Sequence, residues 1–399
     1  MMRAPLVYQD GELSGLSKVA PAESLPYSGL LYATNRNPGP AIEDPENETL
    51  FYDSNSDGVV RVGIADIELV DSDLDWLEVR ETSLSDERED DLVIEVASVE
   101  ELGVLTNTFH PFMSQTDKDQ PVADSAFAEL INAQLSVSGQ QEILVYIGGY
   151  RAPFDSPVLV CTEFWHFLGY DGVAIAFAWP STPSLWAYLR DIEAADNASR
   201  EFRLFLEYLS DHTDAERINI LSYSAGTRMV VESLQEISLK PADADLRIGR
   251  VILVGSDVSR AKIGALLADG VLEHIDTLAV YLSGRDQALQ FTDWLFDRDR
   301  IGSIREDETP RPQSLAFLKA HPNVELIDVS DAEYASLGSG HHYFRDSPWT
   351  SSDIFASLEF DLAPRDRGLR LNPNNGRWEF PVDYPARLLS LLKIRTDSN

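Results

Sequence analysis

Short apolar runs that alternate with helical patterns are the feature that most constrains the fold of this chain. Beyond about residue 125, such runs stand at 143–147, 173–178, 218–223, 251–254, 278–282 and 324–329. Most of them lack polar alternation, as is typical of parallel strands that are buried on both faces. The segments between them, among them 185–209 and 288–296, have apolar residues at helical spacing. The succession predicts an α/β fold with a mostly parallel central sheet and helices on both faces.

The rest of the chain differs from this alternating part. Residues 1–27 are polar and have no period, which predicts a flexible N-terminal tail. Residues 28–124 contain strand-like patterns and predict a β-rich accessory region. The α/β domain is expected at 125–362. Residues 363–399 are rich in Arg, Asn and Pro and predict a C-terminal extension along the surface.

Charge and composition restrict the expected partners and location. The chain carries 67 acidic and 32 basic residues, a net charge of −35, which argues against nucleic acid or anionic lipid as a partner. No stretch approaches the roughly 20 apolar residues that a membrane helix needs, so we expect no membrane span. The N-terminus lacks the apolar core of a secretory signal, and we expect a cytoplasmic protein. Cys161 is the only cysteine, which excludes an intrachain disulfide and a cysteine-based metal site.

A sharp turn from strand to helix is indicated at 218–228, Ile-Asn-Ile-Leu-Ser-Tyr-Ser-Ala-Gly-Thr-Arg. Ser224 stands at the apex, and the small residues Ser222 and Gly226 flank it. This pattern is typical of a nucleophile elbow, in which glycine tolerates the backbone angles of the tight turn. The following helix would direct its positive N-terminus toward an oxyanion at the serine. Ser224 is therefore the candidate nucleophile.

A serine nucleophile of this kind requires an acid and a histidine later in the chain, each after a strand. His274 and His321 precede their predicted strands, which places them at the wrong end of the sheet or in a packed segment. His341 and His342 follow the last predicted strand, in a loop that contains glycine and serine. One of these two is the candidate general base.

The acid and the oxyanion hole have candidates at the ends of other strands. Asp286 follows the second strand after the elbow strand, which is the usual position, and Asp257 follows the first and is the alternative. The acid would hold the imidazole tautomer and stabilise the imidazolium. Backbone N–H groups of Ala225 and of Gly149, in the loop 148–151, are the candidate oxyanion donors. Such a site needs no metal and no cofactor.

These motifs, in this order, resemble a bacterial family of α/β-hydrolase-fold proteins, the domain-of-unknown-function-900 hydrolase-like family. The resemblance extends from about Tyr32 to Phe360. It is carried by the segments 33–36, 146–150, 177–181, 222–228, 256–257, 283–289 and 340–344. The last of them, Gly-His-His-Tyr-Phe, is similar to the family's Gly-His-Ser-Tyr-Phe. This similarity implies that His341 is the base and that His342 is an additional histidine.

The resemblance implies an α/β-hydrolase fold for residues 125–362 and an esterase-like serine hydrolase that acts on a small-molecule ester. Two departures from the family pattern stand against this interpretation: Gly148 and Ser222 occupy positions where the family has histidine. They favour an alternative function, a catalytically degenerate fold that serves as a binding or assembly module. A large separation of Ser224 from His341, or a loop plugged by Tyr150 or Arg151, would support that alternative.

Overall fold

A mixed sheet of eleven strands lies at the centre of the part of the chain that the structure describes. The computed structural model describes residues 1–9, 16–39, 51–70, 73–85, 92–113, 118–182, 188–241, 246–289, 300–304 and 311–396. In chain order the strands are β1 Leu30–Thr34, β2 Arg61–Leu69, β3 Ile94–Val104, β4 Glu142–Ile147, β5 Val173–Ala178, β6 Arg217–Tyr223, β7 Ile248–Val254, β8 Ile275–Leu282, β9 Val324–Asp328, β10 Arg370–Asn372 and β11 Arg377–Glu379.

The helices surround this sheet. They are α1 Leu6–Gln9, α2 Pro21–Ser24, α3 Trp76–Leu84, α4 Asp124–Val137, α5 Asp155–Phe167, α6 Tyr188–Asn197, α7 Ser199–His212, α8 Gly226–Ser238, α9 Arg260–Ala268, α10 Pro312–Ala320, α11 Tyr343–Asp346, α12 Pro348–Phe360 and α13 Tyr384–Thr396. Single 3₁₀ turns stand at Thr106–Thr108 and Val271–Glu273. Within these ranges, no helix has both the length and the apolar character needed to cross a membrane.

The strand order is β10-β11-β9-β8-β7-β6-β4-β5-β1-β2-β3. Every pair from β11 to β1 is parallel, whereas β10 and the last two strands, β2 and β3, pair antiparallel. All residues of β5 and β7 are buried, because helices and loops cover both faces of these strands. The predicted α/β fold with a mostly parallel central sheet is therefore confirmed.

The N-terminal segment differs from the flexible tail that we predicted for residues 1–27. Met2, Val7 and Tyr8 are buried in the main hydrophobic core. The Tyr8 hydroxyl donates to Glu359 of α12, and its ring stacks 6.3 Å from that of Phe167. Residues 10–15 of the segment lie outside the described part of the chain. The sequence has no period here because isolated apolar side chains, rather than one face of an element, make the contacts.

Both terminal regions of the chain extend the central sheet. In the region 28–124, β1 pairs with β5, and β2 and β3 continue the sheet beyond β1. In the region 363–399, which we expected to follow the surface, β11 pairs with β9, and Leu369, Phe380 and Tyr384 are buried. This arrangement covers backbone groups that an open sheet edge would expose.

The helix predicted at 185–209 is divided in the structure. Helices α6 and α7 meet at Ala198, whose φ of −78° and ψ of −2° depart from the helical ψ of about −42°. The apolar spacing continues through this residue, so the sequence pattern does not reveal the bend. Residues 183–187, at the start of this predicted helix, lie outside the described part of the chain. A second predicted helix, at 288–296, lies outside it from residue 290 onward.

Candidate active site

The turn between β6 and α8 places Ser224 at its apex. Ser224 has φ +53°, a left-handed conformation that is uncommon for residues other than glycine. Its N–H donates to the Val254 carbonyl at 2.9 Å, and its own carbonyl accepts from Thr227 Oγ1 at 2.6 Å. A Cβ atom on Gly226 would lie 2.2 Å from the carbonyl oxygen of Gly148. The small residue at position 226 is therefore required by the close approach of the neighbouring loop.

A row of hydrogen bonds connects Ser224, His341 and Asp286. His341 Nε2 is 2.9 Å from Ser224 Oγ, and His341 Nδ1 is 2.6 Å from Asp286 Oδ2. Asp286 is fully buried, and its Oδ1 accepts from the N–H of Leu289 at 3.0 Å. A carboxylate can only accept, so Nδ1 carries the proton and Nε2 accepts from the serine hydroxyl. The structure thus brings Asp286 and His341, which are 55 positions apart, together with Ser224, which is 117 positions from His341.

The alternative acid, Asp257, has a different environment. Its carboxylate forms an ion pair with Arg300, and both side chains are almost completely buried. The acid that contacts His341 is Asp286. His342 lies on the rim of the site, with its ring 5.7 Å from that of Tyr223. Partial desolvation, together with the proximity of His341 and Arg345, lowers the pKa of His342 below its usual value.

The loop after β4 lies beside the nucleophile. A Cβ atom on Gly149 would lie 2.9 Å from Ser224 Cβ, so a side chain at this position would displace the serine. The backbone N–H groups of Gly149 and Ala225 have no hydrogen-bond acceptor among the described residues. Trp179 Nε1 donates to the Gly148 carbonyl at 2.9 Å and holds the start of the loop. Within the described chain, two free backbone donors therefore lie close to Ser224, one in the loop after β4 and one directly after the serine.

A buried polar cluster, which the sequence did not predict, holds the same loop. Asp191 Oδ2 accepts from Ser181 Oγ at 2.8 Å and from the N–H of Arg151 at 3.4 Å. Arg36 Nη2 donates to the Ala152 carbonyl at 2.6 Å. Burial lowers the pKa of Arg36 to about 10, and the nearby carboxylate of Asp191 opposes that shift. These residues come from three separate parts of the chain, so no local pattern identifies them together.

The imidazole of His341 rests on the ends of β7 and β8. The Tyr343 hydroxyl accepts from the N–H of Gly255 at 2.6 Å and donates to the Tyr281 carbonyl at 2.9 Å. Gly255 has φ +53°, and a Cβ atom there would lie 3.0 Å from His341 Cε1. Tyr343 follows the two histidines directly, and that adjacency is the only sequence signal for its role.

The two positions that depart from the family pattern are tightly packed. A Cβ atom on Gly148 would lie 3.3 Å from Pro157 Cβ, which is closer than most real contacts of this type. Ser222 is fully buried, and its Oγ has no hydrogen-bond partner among the described residues. Gly148 has no side chain and Ser222 Oγ bonds to no described residue, so the row of Ser224, His341 and Asp286 forms without the family's histidines.

A cavity of about 570 Å³ opens beside Ser224. Its walls include the loop 148–152, the aromatic residues Tyr146, Tyr223 and Phe344, and the basic residue Arg345. This volume accommodates a small organic substrate next to the serine. Across the described ranges, no group of three or more His, Cys, Asp or Glu side chains is arranged to hold a metal ion.

The sequence of this α/β core matches a known family. The family is described as an alpha/beta hydrolase of unknown function, DUF900, and its model matches residues 123–357. The chain belongs to this family. The matched region is more than half of the chain and includes Ser224, Asp286 and His341. The resemblance inferred from the motifs is thereby confirmed, and the α/β-hydrolase fold with it.

Solved structures of an esterase also resemble the chain. The apo form of Thermogutta terrifontis esterase 2 is 16% identical, with a TM-score of 0.32, over 57% of this chain and 86% of the esterase. The same esterase phosphoramylated by tabun is 15% identical, with a TM-score of 0.33, over 56% of this chain and 85% of the esterase. Likeness at this level identifies no substrate. No curated protein matches the sequence.

Proposed function

We propose that this member of the DUF900 family is a serine hydrolase that cleaves a carboxylic ester through an acyl-enzyme. Ser224 is the nucleophile, His341 the general base and Asp286 the acid that orients it. The observation that carries the proposal is the hydrogen-bonded row in which His341 contacts Ser224 Oγ at 2.9 Å and Asp286 at 2.6 Å. This order of groups activates a serine hydroxyl in acyl-transfer enzymes.

The first half of the reaction forms the acyl-enzyme. His341 Nε2 takes the proton from Ser224 Oγ as the oxygen attacks the ester carbonyl carbon. The carbonyl oxygen becomes an oxyanion in the tetrahedral intermediate. When the intermediate collapses, the bond to the alcohol oxygen breaks, and the proton on Nε2 passes to the leaving alcohol. The acyl group is then attached to Ser224.

The second half releases the acid. A water molecule gives a proton to His341 Nε2 and attacks the acyl carbonyl carbon, again forming an oxyanion. The bond from this carbon to Ser224 Oγ breaks, and the proton on Nε2 returns to the serine. The products are the free carboxylic acid and the original enzyme. Asp286 accepts the Nδ1 hydrogen bond throughout and stabilises the imidazolium in both halves.

The N–H groups of Gly149 and Ala225 are the proposed oxyanion donors. Their lack of protein acceptors in the described chain supports this role, because a hydrogen-bond donor without a partner is free to bind substrate. The polar cluster around Asp191 supports it further by holding the loop that carries Gly149. Preorganised donors of this type stabilise the transition state without reorganisation during the reaction.

The alternative, a degenerate fold that acts as a binding or assembly module, depends on an incomplete site. The 2.9 Å contact between His341 and Ser224 supports the hydrolase over this alternative. An open cavity at the serine, which Tyr150 and Arg151 line, supports it as well.

The test compares Ser224→Ala with the wild type on p-nitrophenyl esters of graded acyl length. We expect the substitution to lower kcat by at least about a thousandfold, since the nucleophile is lost. Ser222→Ala is the matched control, because it removes a nearby buried hydroxyl that has no hydrogen-bond partner among the described residues. A wild type that hydrolyses no ester and is not labelled by a fluorophosphonate would contradict the proposal, as would full activity in Ser224→Ala.

A further inference from the structure

The cavity beside Ser224 is lined by basic residues, although the molecule as a whole is strongly acidic. About one residue in six of the chain is Asp or Glu, 67 of 399. Among the described residues that line this cavity there is no Asp or Glu, whereas Arg151 and Arg345 both line it. Four other cavities in the described part each have carboxylates in their walls, for example Glu142, Glu232, Glu68 and Glu216. The cavity at the serine is therefore a local exception to a strongly acidic molecule.

The two arginines of the cavity differ in how their charge is used. Arg345 forms a bidentate pair with Glu163, with Nε to Oε2 at 3.0 Å and Nη2 to Oε1 at 2.8 Å, so its charge is largely offset. Arg151 is exposed, and its guanidinium has neither an ion pair nor a hydrogen bond with any described residue. A guanidinium is always charged, and its N–H groups match the two oxygens of a carboxylate.

The backbone holds Arg151 at a defined place relative to the nucleophile. Arg151 follows Gly149 by two residues and has φ +59°, in the left-handed region that glycine adopts without strain. Its N–H donates to Asp191 Oδ2, which maintains this conformation. The turn alone would favour glycine or asparagine. Residues in strained conformations of this kind are enriched at active sites and ligand-binding sites.

We propose that the substrate of this site is an ester with a negatively charged group, a carboxylate or a similar anion, and that Arg151 binds this group. The inference rests on the proposed hydrolase function and specifies its substrate class. The net charge of −35 repels anions from the molecule as a whole. A cation at the cavity, with no carboxylate among the described lining residues, supplies the local attraction that an anionic substrate requires.

The test uses two esters of equal length, p-nitrophenyl hexanoate and mono-p-nitrophenyl adipate, which differ in a terminal methyl group or carboxylate. We expect the wild type to favour the adipate in kcat/KM. Arg151→Gln is expected to lower the ratio of adipate to hexanoate by about tenfold, because a charge-assisted hydrogen bond is lost. Arg151→Lys should keep part of the preference. Increasing salt should reduce it.

Arg365→Gln is the matched control, because it removes an exposed arginine of the C-terminal region and changes the net charge by the same amount. It should leave the ratio unchanged. An equal ratio in wild type, Arg151→Gln and Arg365→Gln, with Ser224-dependent hydrolysis of both esters, overturns the inference and leaves the hydrolase proposal standing. A wild type that hydrolyses neither ester and is not labelled by a fluorophosphonate overturns the hydrolase proposal itself.

Discussion

At the scale of single residues, two aspartates are candidates for the acid that contacts the histidine, and their neighbours distinguish them. Asp286 and Asp257 each follow a strand of the parallel sheet, so both reach the edge where Ser224 lies. Asp286 contacts His341, whereas Asp257 is paired with Arg300 in a buried environment. We infer that the first carboxylate serves chemistry and that the second serves stability.

Substitution of each acid should separate these two effects. Asp286→Asn is expected to lower kcat by about a thousandfold or more, because an amide favours the wrong histidine tautomer. The free energy of unfolding of Asp286→Asn should change less than that of Asp257→Asn. Asp257→Asn is expected to lower the free energy of unfolding by about 3 kcal/mol or more, because the buried charge of Arg300 loses the carboxylate that neutralises it. The folded fraction of that variant should keep kcat within about tenfold of wild type.

The measurements are kcat on a p-nitrophenyl ester and urea unfolding of both variants. The assignment would be reversed by a folded Asp257→Asn protein without activity beside an active Asp286→Asn protein.

At the scale of elements, the site depends on how the loops at one edge of the sheet meet. Strands β4, β6, β7 and β8 are parallel neighbours in the sheet, so their carboxyl ends lie side by side. The loop after β4 carries Gly149, and the loop after β6 carries Ser224. Tyr343 of α11 ties the ends of β7 and β8 together beneath His341. The base is thus positioned by strands from a different part of the chain.

Tyr343→Phe should weaken this support. The substitution removes the hydroxyl that bridges the N–H of Gly255 and the carbonyl of Tyr281 and leaves only the longer bond of 3.3 Å between these two groups, which we expect to lower the free energy of unfolding by about 1 kcal/mol. Because Gly255 packs against His341, kcat should fall while KM changes little. Thermal unfolding and steady-state kinetics measure the two effects.

Tyr384→Phe provides the matched control for this experiment. Tyr384 is also fully buried, but its hydroxyl has no hydrogen-bond partner among the described residues. Loss of that hydroxyl should leave both kcat and stability close to wild type. Equal effects of the two substitutions would show that the bridge made by Tyr343 does not matter.

At the scale of the whole molecule, a hydrogen bond between a tyrosine and a buried carboxyl group joins the N-terminal segment to a distant helix. The Tyr8 hydroxyl donates to Glu359 near the end of α12. Burial raises the pKa of Glu359 to about 7, and the hydrogen bond from Tyr8 opposes part of that rise. The folded protein therefore holds a proton on Glu359 in a pH range in which the unfolded chain has lost it.

This difference makes stability depend on pH. Between the carboxyl's ordinary value and about 7, the native state binds more protons than the unfolded state, so the free energy of unfolding falls as pH rises. Glu359→Gln removes this titration. From pH 5 to pH 8, the stability of the variant relative to wild type should rise by about 2 kcal/mol, after allowance for partial exposure.

Urea unfolding at both pH values measures this difference. Glu81→Gln, at an exposed position of α3, is the control and should not change relative to wild type with pH. A constant difference between Glu359→Gln and wild type across this range would argue against the proposed titration.

The sequence by itself determined the parts of this protein that local patterns encode. Buried parallel strands are apolar along their length, so the runs from 143 to 329 identified the α/β core and its strands. The tight turn at Ser224 requires small neighbours, and those residues are visible in the sequence. The order of serine, acid and histidine then limited the candidates to a few positions, whose catalytic roles stay predictions.

Only the tertiary structure decided which of these candidates meet. The contact of Asp286 with His341, the pairing of Asp257 with Arg300 and the bridge made by Tyr343 join residues far apart in the sequence. The burial of Met2, Val7 and Tyr8 and the pairing of β11 with β9 have the same origin. Apolar periodicity reports how one element is buried, whereas ion pairs and long-range hydrogen bonds depend on which loops and termini the folded sheet brings together.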